Sequence, residues 1–231
     1  MSYPATAGAV RGYLAAPAGG GGPWPGVVVI HEAFGLNDDI RRKADELAAR
    51  GYLALAPDLY GGRSWIRCLK GAFGQLRQGA GPAFEVLDAA RGFLAARPDC
   101  TGKTGVIGFC MGGGFALLCA PRAGFGAAAV NYGEVPADAE RALSGACPVV
   151  ASFGGRDRSM KKAAPETLER ALTVLEVPHD VKVYPGSGHR FMTRATGAEA
   201  AFMKVTGMSY QAHDAADAWE RIYAFFGRHL G

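Results

Sequence analysis

The sequence predicts an α/β fold, a mostly parallel sheet of about seven strands with helices on both faces. Short apolar runs such as Gly-Val-Val-Val-Ile at 26–30 have the β-branched composition of strands that are buried on both faces. Between these runs lie segments whose apolar residues recur at helical spacing. No hairpin signal joins successive runs and no linker divides the chain, so a single domain over residues 1–231 is expected.

The predicted strands are short and evenly distributed along the chain. They lie at 10–15, 26–30, 52–55, 106–109, 127–131, 148–153 and 181–184. The stretch 62–82 lies between two of them and has a poor pattern. It is predicted to be a surface excursion with at most a short helix.

Most of the predicted helices carry one apolar face. They lie at 38–50, 86–97, 111–120, 137–143, 165–175 and 215–230. Asn37 is predicted to cap the first helix and Gly51 to end it, whereas Pro98 stops the second. A loop that extends to about Gln211 is expected before the last helix.

The glycine-rich corner at 105–114 is the most informative stretch. An apolar run ends at Phe109, Cys110 follows it, and a helical segment begins at Met111. A nucleophile on so tight a strand-to-helix turn leaves room for only the smallest residues at Gly108 and Gly112. The helix N-terminus at such a corner favours a thiolate. A small buried cysteine without chemistry is the alternative that this motif alone leaves open.

A thiol at neutral pH needs a base, and the chain offers one in a suitable place. A histidine can take the thiol proton, and a carboxylate can hold the histidine in the correct tautomer. His189 lies in a glycine-rich loop after the last predicted strand, and Asp157 follows the strand before it. Taken alone, His189 also fits the pattern of a solvated loop residue, and Asp157 also fits that of a turn residue. Together with Cys110 they follow strand ends that meet at one edge of a parallel sheet, which favours a catalytic triad.

The loop after the strand at 26–30 supplies further candidates. The backbone N–H groups of Ala33 and Met111 are predicted to form an oxyanion hole. Glu32 either points into solvent or reaches the thiol, in which case the two negative groups would raise each other's pKa. Tyr60 and Tyr132 also follow strands and either line a pocket or pack in the core.

Composition excludes several classes of protein. The formal net charge is +4 and no Lys/Arg tract is interleaved with aromatic residues, which argues against nucleic acid as a partner. No apolar stretch reaches 18 residues and the N-terminus lacks a secretory pattern, so neither a membrane partner nor export is expected. The five cysteines form no Cys-x-x-Cys pair, which predicts free thiols in the cytoplasm and no metal site.

Several segments match the motifs of one enzyme family. They are VVIHEAFGLN at 28–37, ALAPDLY at 54–60, GVIGFCMGG at 105–113, FGGRD at 153–157, YPGSGHRF at 184–191 and AADAWER at 215–221. With these motifs the chain resembles the dienelactone hydrolase family of α/β-hydrolases, from about Val27 onwards.

The resemblance implies an α/β-hydrolase fold in which Cys110, Asp157 and His189 form the triad. It also implies that Glu32 holds the resting thiol neutral until substrate displaces it. Some members bind a substrate carboxylate with an arginine beyond the histidine, for which Arg194 is the nearest match and Arg190 the next. The stretch 63–82 lacks the tyrosine that dienelactone-cleaving members carry there.

The residues and the resemblance together predict a cytoplasmic hydrolase that cleaves a small ester or lactone, neutral or anionic, through an acyl-enzyme, as carboxymethylenebutenolidase does. No cofactor is implied, and a monomer or small homo-oligomer is expected. The alternatives are a broad-specificity carboxylesterase or thioesterase, and a non-catalytic or redox-sensing protein on the same fold.

Overall fold

The central sheet of the computed structural model is built from eight strands in the described residues, which are 1–5, 8–195, 203 and 208–231. The strands are β1 Ser2–Ala5, β2 Gly8–Ala15, β3 Trp24–Ile30, β4 Leu53–Pro57, β5 Cys100–Phe109, β6 Phe125–Asn131, β7 Val149–Gly154 and β8 His179–Tyr184. Their order in space is β1-β2-β4-β3-β5-β6-β7-β8. The six strands from β4 to β8 in this order are parallel, which confirms the predicted mostly parallel sheet.

The N-terminal edge of the sheet differs from the prediction. β1 and β2 pair antiparallel, with Tyr3 opposite Val10, so the expectation of a sheet without hairpins is wrong here. β1 is short and contains Pro4, which an edge strand tolerates. Tyr3 is only 1% exposed and its ring lies 5.4 Å from that of Phe93. This contact between residues far apart in the sequence holds β1 in place, so the local sequence pattern could not predict the strand.

Helices cover both faces of the sheet. They are α1 Asp38–Ala49, α2 Trp65–Gln78, α3 Pro82–Ala95, α4 Met111–Cys119, α5 Ala139–Ala142, α6 Ala164–Val174 and α7 Ala212–Leu230. One apolar core lies between the sheet and α2 to α6, and the other between the sheet and α1 with α7. Asn37 caps α1 as predicted, because its side-chain oxygen accepts a hydrogen bond from the N–H of Ile40 at 3.1 Å.

The segment predicted as an excursion at 62–82 contains a full helix, α2. The prediction of at most a short helix is wrong: apolar residues recur at helical spacing in α2, at Ile66, Leu69, Ala72, Phe73 and Leu76. Leu76 packs against Gly114 at the start of α4, where a side chain on the glycine would meet it at 3.0 Å. α2 therefore covers α4, and Gly79 in the left-handed conformation ends it.

The loop expected before the last helix falls largely on residues outside the described ranges. Within those ranges, no helix has both the length and the apolar character needed to cross a membrane.

Candidate active site

The carboxyl ends of four parallel strands bring the predicted site residues to one edge of the sheet. Glu32 follows β3, Cys110 follows β5, Asp157 follows β7 and His189 follows β8. Parallel strands end at a common edge, so residues far apart in the chain become neighbours there.

At the turn that carries Cys110, the backbone of β5 lies very close to that of α4. A Cβ on Gly108 would lie 1.9 Å from the carbonyl oxygen of Gly112, and a Cβ on Gly112 would lie 2.4 Å from that of Ile30. Cys110 itself has a positive φ of 55°, which a non-glycine residue adopts only under strain. The two glycines thus allow strand and helix to approach closely, and the turn places the thiol at the N-terminus of α4.

Cys110, His189 and Asp157 form a continuous chain of contacts. Nε2 of His189 lies 3.1 Å from Sγ of Cys110, and Nδ1 of His189 lies 2.6 Å from Oδ2 of Asp157. The other carboxylate oxygen of Asp157 accepts from the N–H and the hydroxyl of Ser159, at 2.8 and 2.6 Å. The side chains of His189 and Asp157 are 6% and 4% exposed, whereas Cys110 is half-buried. The thiol is thus only partly buried and open to attack on a substrate.

This arrangement favours a charged histidine. Burial disfavours the imidazolium, but the hydrogen bonds to Asp157 and Cys110 outweigh it and raise the pKa of His189 to about 10. Burial likewise opposes the ionised form of Asp157, yet the hydrogen bond from His189 brings its pKa below the ordinary value. The site therefore favours an imidazolium next to Cys110 at neutral pH.

Glu32 lies in a buried polar network away from the thiol. Its carboxylate accepts hydrogen bonds from Arg190 Nε at 2.7 Å and from Thr193 Oγ1 at 2.6 Å. The hydroxyl of Tyr132 lies 3.3 Å from the carboxylate, and Lys43 Nζ lies 3.4 Å from Thr193 Oγ1. In the described residues no hydrogen bond joins Glu32 to Cys110, so the contact that the resemblance implies is absent from this conformation.

The charge state of Glu32 follows from these neighbours. Burial alone would raise its pKa, but the charges of Lys43 and Arg190 and the hydrogen bonds from Arg190 and Thr193 lower it below 4.5. The expectation that a nearby thiolate raises the pKa of Glu32 is therefore wrong. The carboxylate is ionised at neutral pH and pairs with the buried Arg190, whereas the buried Lys43 pairs with Asp39.

We expect Glu32→Gln to destabilise the protein by about 3 to 5 kcal/mol, because it removes the carboxylate that pairs with the buried Arg190. The measurement is the free energy of unfolding from urea titration. Because the pKa of Glu32 is lower in the folded protein than in the unfolded chain, its ionisation stabilises the fold above pH ~4.5. This stabilisation is lost as the pH falls through the lowered pKa. The difference between parent and variant should therefore shrink in acid.

Glu220→Gln is the matched control. Glu220 pairs with Arg50 at 2.6 Å, close to the 2.5 Å of Glu32 with Arg190, but its side chain is 64% exposed. Such a surface pair contributes about 0 to 1 kcal/mol. Equal losses of stability in the two variants would mean that Glu32 is not a buried counter-charge.

The loop with the predicted oxyanion donors is fixed from two sides. The hydroxyl of Tyr60 lies 2.9 Å from the carbonyl oxygen of Ala33 and 3.7 Å from Sδ of Met111, so one side chain links both donor residues. His31 is fully buried, accepts from the N–H of Leu59 at 3.2 Å and bonds the carbonyl of Glu32 at 2.7 Å. Met111 is the first residue of α4, so its N–H has no acceptor within the helix.

The predicted substrate-binding residues have internal partners in this structure. Tyr60, Tyr132 and Arg190 are at most 3% exposed, and Arg190 is paired with Glu32. Arg194 is half-exposed and contacts Tyr210 at 3.1 Å and Glu46 at 3.6 Å. None of these contacts tests substrate binding, which stays a prediction for all four residues.

Sequence reasoning missed three residues that shape the site, His31, Lys43 and Thr193. Lys43 stands on the buried face of α1 with Ile40 and Leu47, and its ammonium lies 4.1 Å from the centre of the Phe109 ring. A lysine that occupies a position of the apolar face of a predicted helix indicates a buried charge. Nothing in the local sequence marks Thr193, whose role depends on a contact with Glu32 across 161 positions.

Comparison with known proteins shows a similarity of sequence over nearly the whole chain. The sequence model of the Dienelactone hydrolase family matches residues 10–230. Proteins from Yersinia pestis and Synechocystis, both named "Putative carboxymethylenebutenolidase", are each 30% identical to the chain. These alignments cover 94% and 96% of this chain and 83% and 92% of theirs.

A solved structure extends the similarity to the fold. A dienelactone hydrolase-like promiscuous phosphotriesterase from metagenomic libraries superposes with a TM-score of 0.81 at 26% identity. The superposition covers 100% of this chain and 98% of that one.

Proposed function

The chain belongs to the dienelactone hydrolase family and has its α/β-hydrolase fold, and from this premise we propose that it cleaves a small ester or lactone with Cys110 as nucleophile. One observation carries the proposal, the chain of contacts from Asp157 through His189 to Cys110, at 2.6 and 3.1 Å. A buried cysteine without chemistry has no need of a histidine that a carboxylate orients.

In the proposed first step, the thiolate of Cys110 attacks the carbonyl carbon and the carbonyl electron pair moves onto its oxygen. The N–H groups of Ala33 and Met111 stabilise this oxyanion. When the electron pair returns, the bond from carbon to the leaving oxygen breaks, and His189 gives its Nε2 proton to that oxygen. The products of this step are a thioester on Cys110 and an alcohol, which in a lactone stays attached to the acyl group.

Water completes the reaction in the proposed second step. His189 takes a proton from the water as the water oxygen attacks the thioester carbon. The bond from carbon to sulfur then breaks, which releases the acid and restores the thiolate beside the imidazolium. Asp157 stabilises the imidazolium throughout.

Glu32 acts through another residue in this scheme. Its ion pair with Arg190 restrains the residue next to His189, and its neighbour Ala33 supplies an oxyanion donor. We therefore assign Glu32 a positioning role. Its contacts with Arg190 and Thr193 support this assignment.

The test is to trap the intermediate. The protein is mixed with 4-nitrophenyl acetate, quenched in acid and digested, and the peptides are weighed by mass spectrometry. We expect one acetyl group on the peptide that contains Cys110. Acetyl on a different residue, or none during turnover, would overturn the covalent mechanism.

A substrate panel separates the alternatives. It contains an enol lactone, a simple aryl ester, an acyl thioester and an aryl phosphotriester, the last because a relative of similar fold is named for that activity. The proposal predicts the highest kcat/KM for the lactone or the ester. A clear preference for the thioester or the phosphotriester would replace the proposed substrate class while leaving the nucleophile in place.

A further inference from the structure

A second feature of this edge of the sheet is a cavity on the histidine side of the thiol. Its volume is about 730 Å³, and its lining includes Asp157, His189 and Gln211 but not Cys110. This volume suits a small-molecule ligand. The cavity adjoins the proposed triad through His189, the residue proposed to deliver a proton to the leaving oxygen.

The loop between β7 and α6 gives this cavity a positive wall. Residues 155–163 contain four cations, Arg156, Arg158, Lys161 and Lys162, and one acid, Asp157. The carboxylate of Asp157 is already bonded to His189 and Ser159. Arg156, Arg158 and Lys162 line the cavity and are exposed.

The acidic side chains of the described residues leave these three cations without an ion-pair partner. Among the described residues none of them forms an ion pair, whereas most other arginines of the chain have an acidic partner. The described lining contains no acid besides Asp157. A cavity in which charges of one sign predominate concentrates ligands of the opposite sign.

We propose that this cavity binds the leaving group of the substrate and that Arg156, Arg158 and Lys162 select a leaving group bearing a carboxylate or a phosphate. The inference rests on the proposed function. It specifies in addition that the charge of the ester lies on its leaving group. In this proposal the acyl half sits at Cys110, and the half whose oxygen receives the proton of His189 extends past the imidazole into the cavity. An anion held there also keeps the leaving oxygen close to its proton donor.

The experiment compares esters that differ only in where their charge lies. 4-Nitrophenyl acetate is neutral, mono-4-nitrophenyl succinate carries its charge on the acyl half, and 3-carboxy-4-nitrophenyl acetate carries it on the leaving group. A phenyl acetate with a phosphate on the ring provides a phosphate on the leaving group. The readout is the ratio of kcat/KM for each charged ester to that for its neutral counterpart.

We expect the parent to favour at least one of the two esters with a charged leaving group by about tenfold, and high salt to reduce this ratio. The triple variant Arg156→Gln, Arg158→Gln, Lys162→Gln should lower the ratio by about tenfold. Lys161→Gln is the matched control, because it removes the same charge from the same loop but lines a different cavity. It should keep the parent's ratio.

The outcomes distinguish failure of the anion site from failure of the proposed hydrolase activity. If neutral ester is cleaved but the triple variant and the parent give the same ratios, the anion site is refuted and the hydrolase remains. A preference for the charged acyl half that the triple variant loses would also refute the assignment to the leaving group. Failure to cleave any of the esters would remove the proposed function, and this inference with it.

Discussion

Cys110→Ala is expected to lower hydrolysis of carboxyl esters by on the order of 10⁵-fold or more, because no other group at the turn can attack the carbonyl. The fold should be unaffected. Alanine keeps the Cβ that already occupies the strained backbone at φ 55°, and the lost thiol is half-buried at the border of the two cores. The measurement is kcat/KM with the best ester of the panel, together with the thermal unfolding midpoint.

Cys68→Ala provides the control for this experiment. Cys68 is also a half-buried free cysteine, but it lies on α2 and has no place in the contact chain of His189. It should retain the parent's activity. Full turnover by a pure sample of Cys110→Ala would exclude the thiol as nucleophile. Cys110→Ser should retain weak activity at best, since a hydroxyl needs stronger assistance from a base than a thiol does.

The meeting of the candidate site residues at one edge of the sheet could be predicted because the pattern at each strand end is local. The β-branched run of β3 and the glycines around Cys110 each report a structural requirement within a few residues. A nucleophile turn, a carboxylate and a histidine that each follow a parallel strand must share an edge of the sheet. The placement of Cys110, Asp157 and His189 at one edge follows from that rule, whereas their side-chain contacts do not.

The surroundings of Glu32 could not be predicted in the same way. Its position after β3 says nothing about whether the carboxylate turns towards Cys110 or towards Arg190, because both lie at the same edge. The balance is set by Lys43 on α1 and by Thr193, residues that meet only in the folded chain. The edge strand β1 escaped prediction for the same reason, since the packing of Tyr3 on Phe93 holds it in place.

Asp157→Asn is expected to reduce kcat by about 10⁴-fold, because an amide no longer fixes the tautomer of His189 or stabilises its charge. Loss of the carboxylate also removes a main cause of the raised pKa of His189, which stands at about 10 in the parent. The thiolate–imidazolium pair should then be less populated at pH 7, and alkylation of Cys110 by iodoacetamide should slow. Asp99→Asn, at a surface carboxylate bonded to Arg97, should change neither rate.

The double variant Asp157→Asn, His189→Ala shows whether the two residues act as one unit. If Asp157 works only through His189, removing it adds nothing once the imidazole is gone, and the double variant should match His189→Ala alone. Steady-state rates of the parent, both single variants and the double variant complete the cycle. Losses that simply multiply would mean that Asp157 acts independently of the histidine, despite the 2.6 Å contact between them.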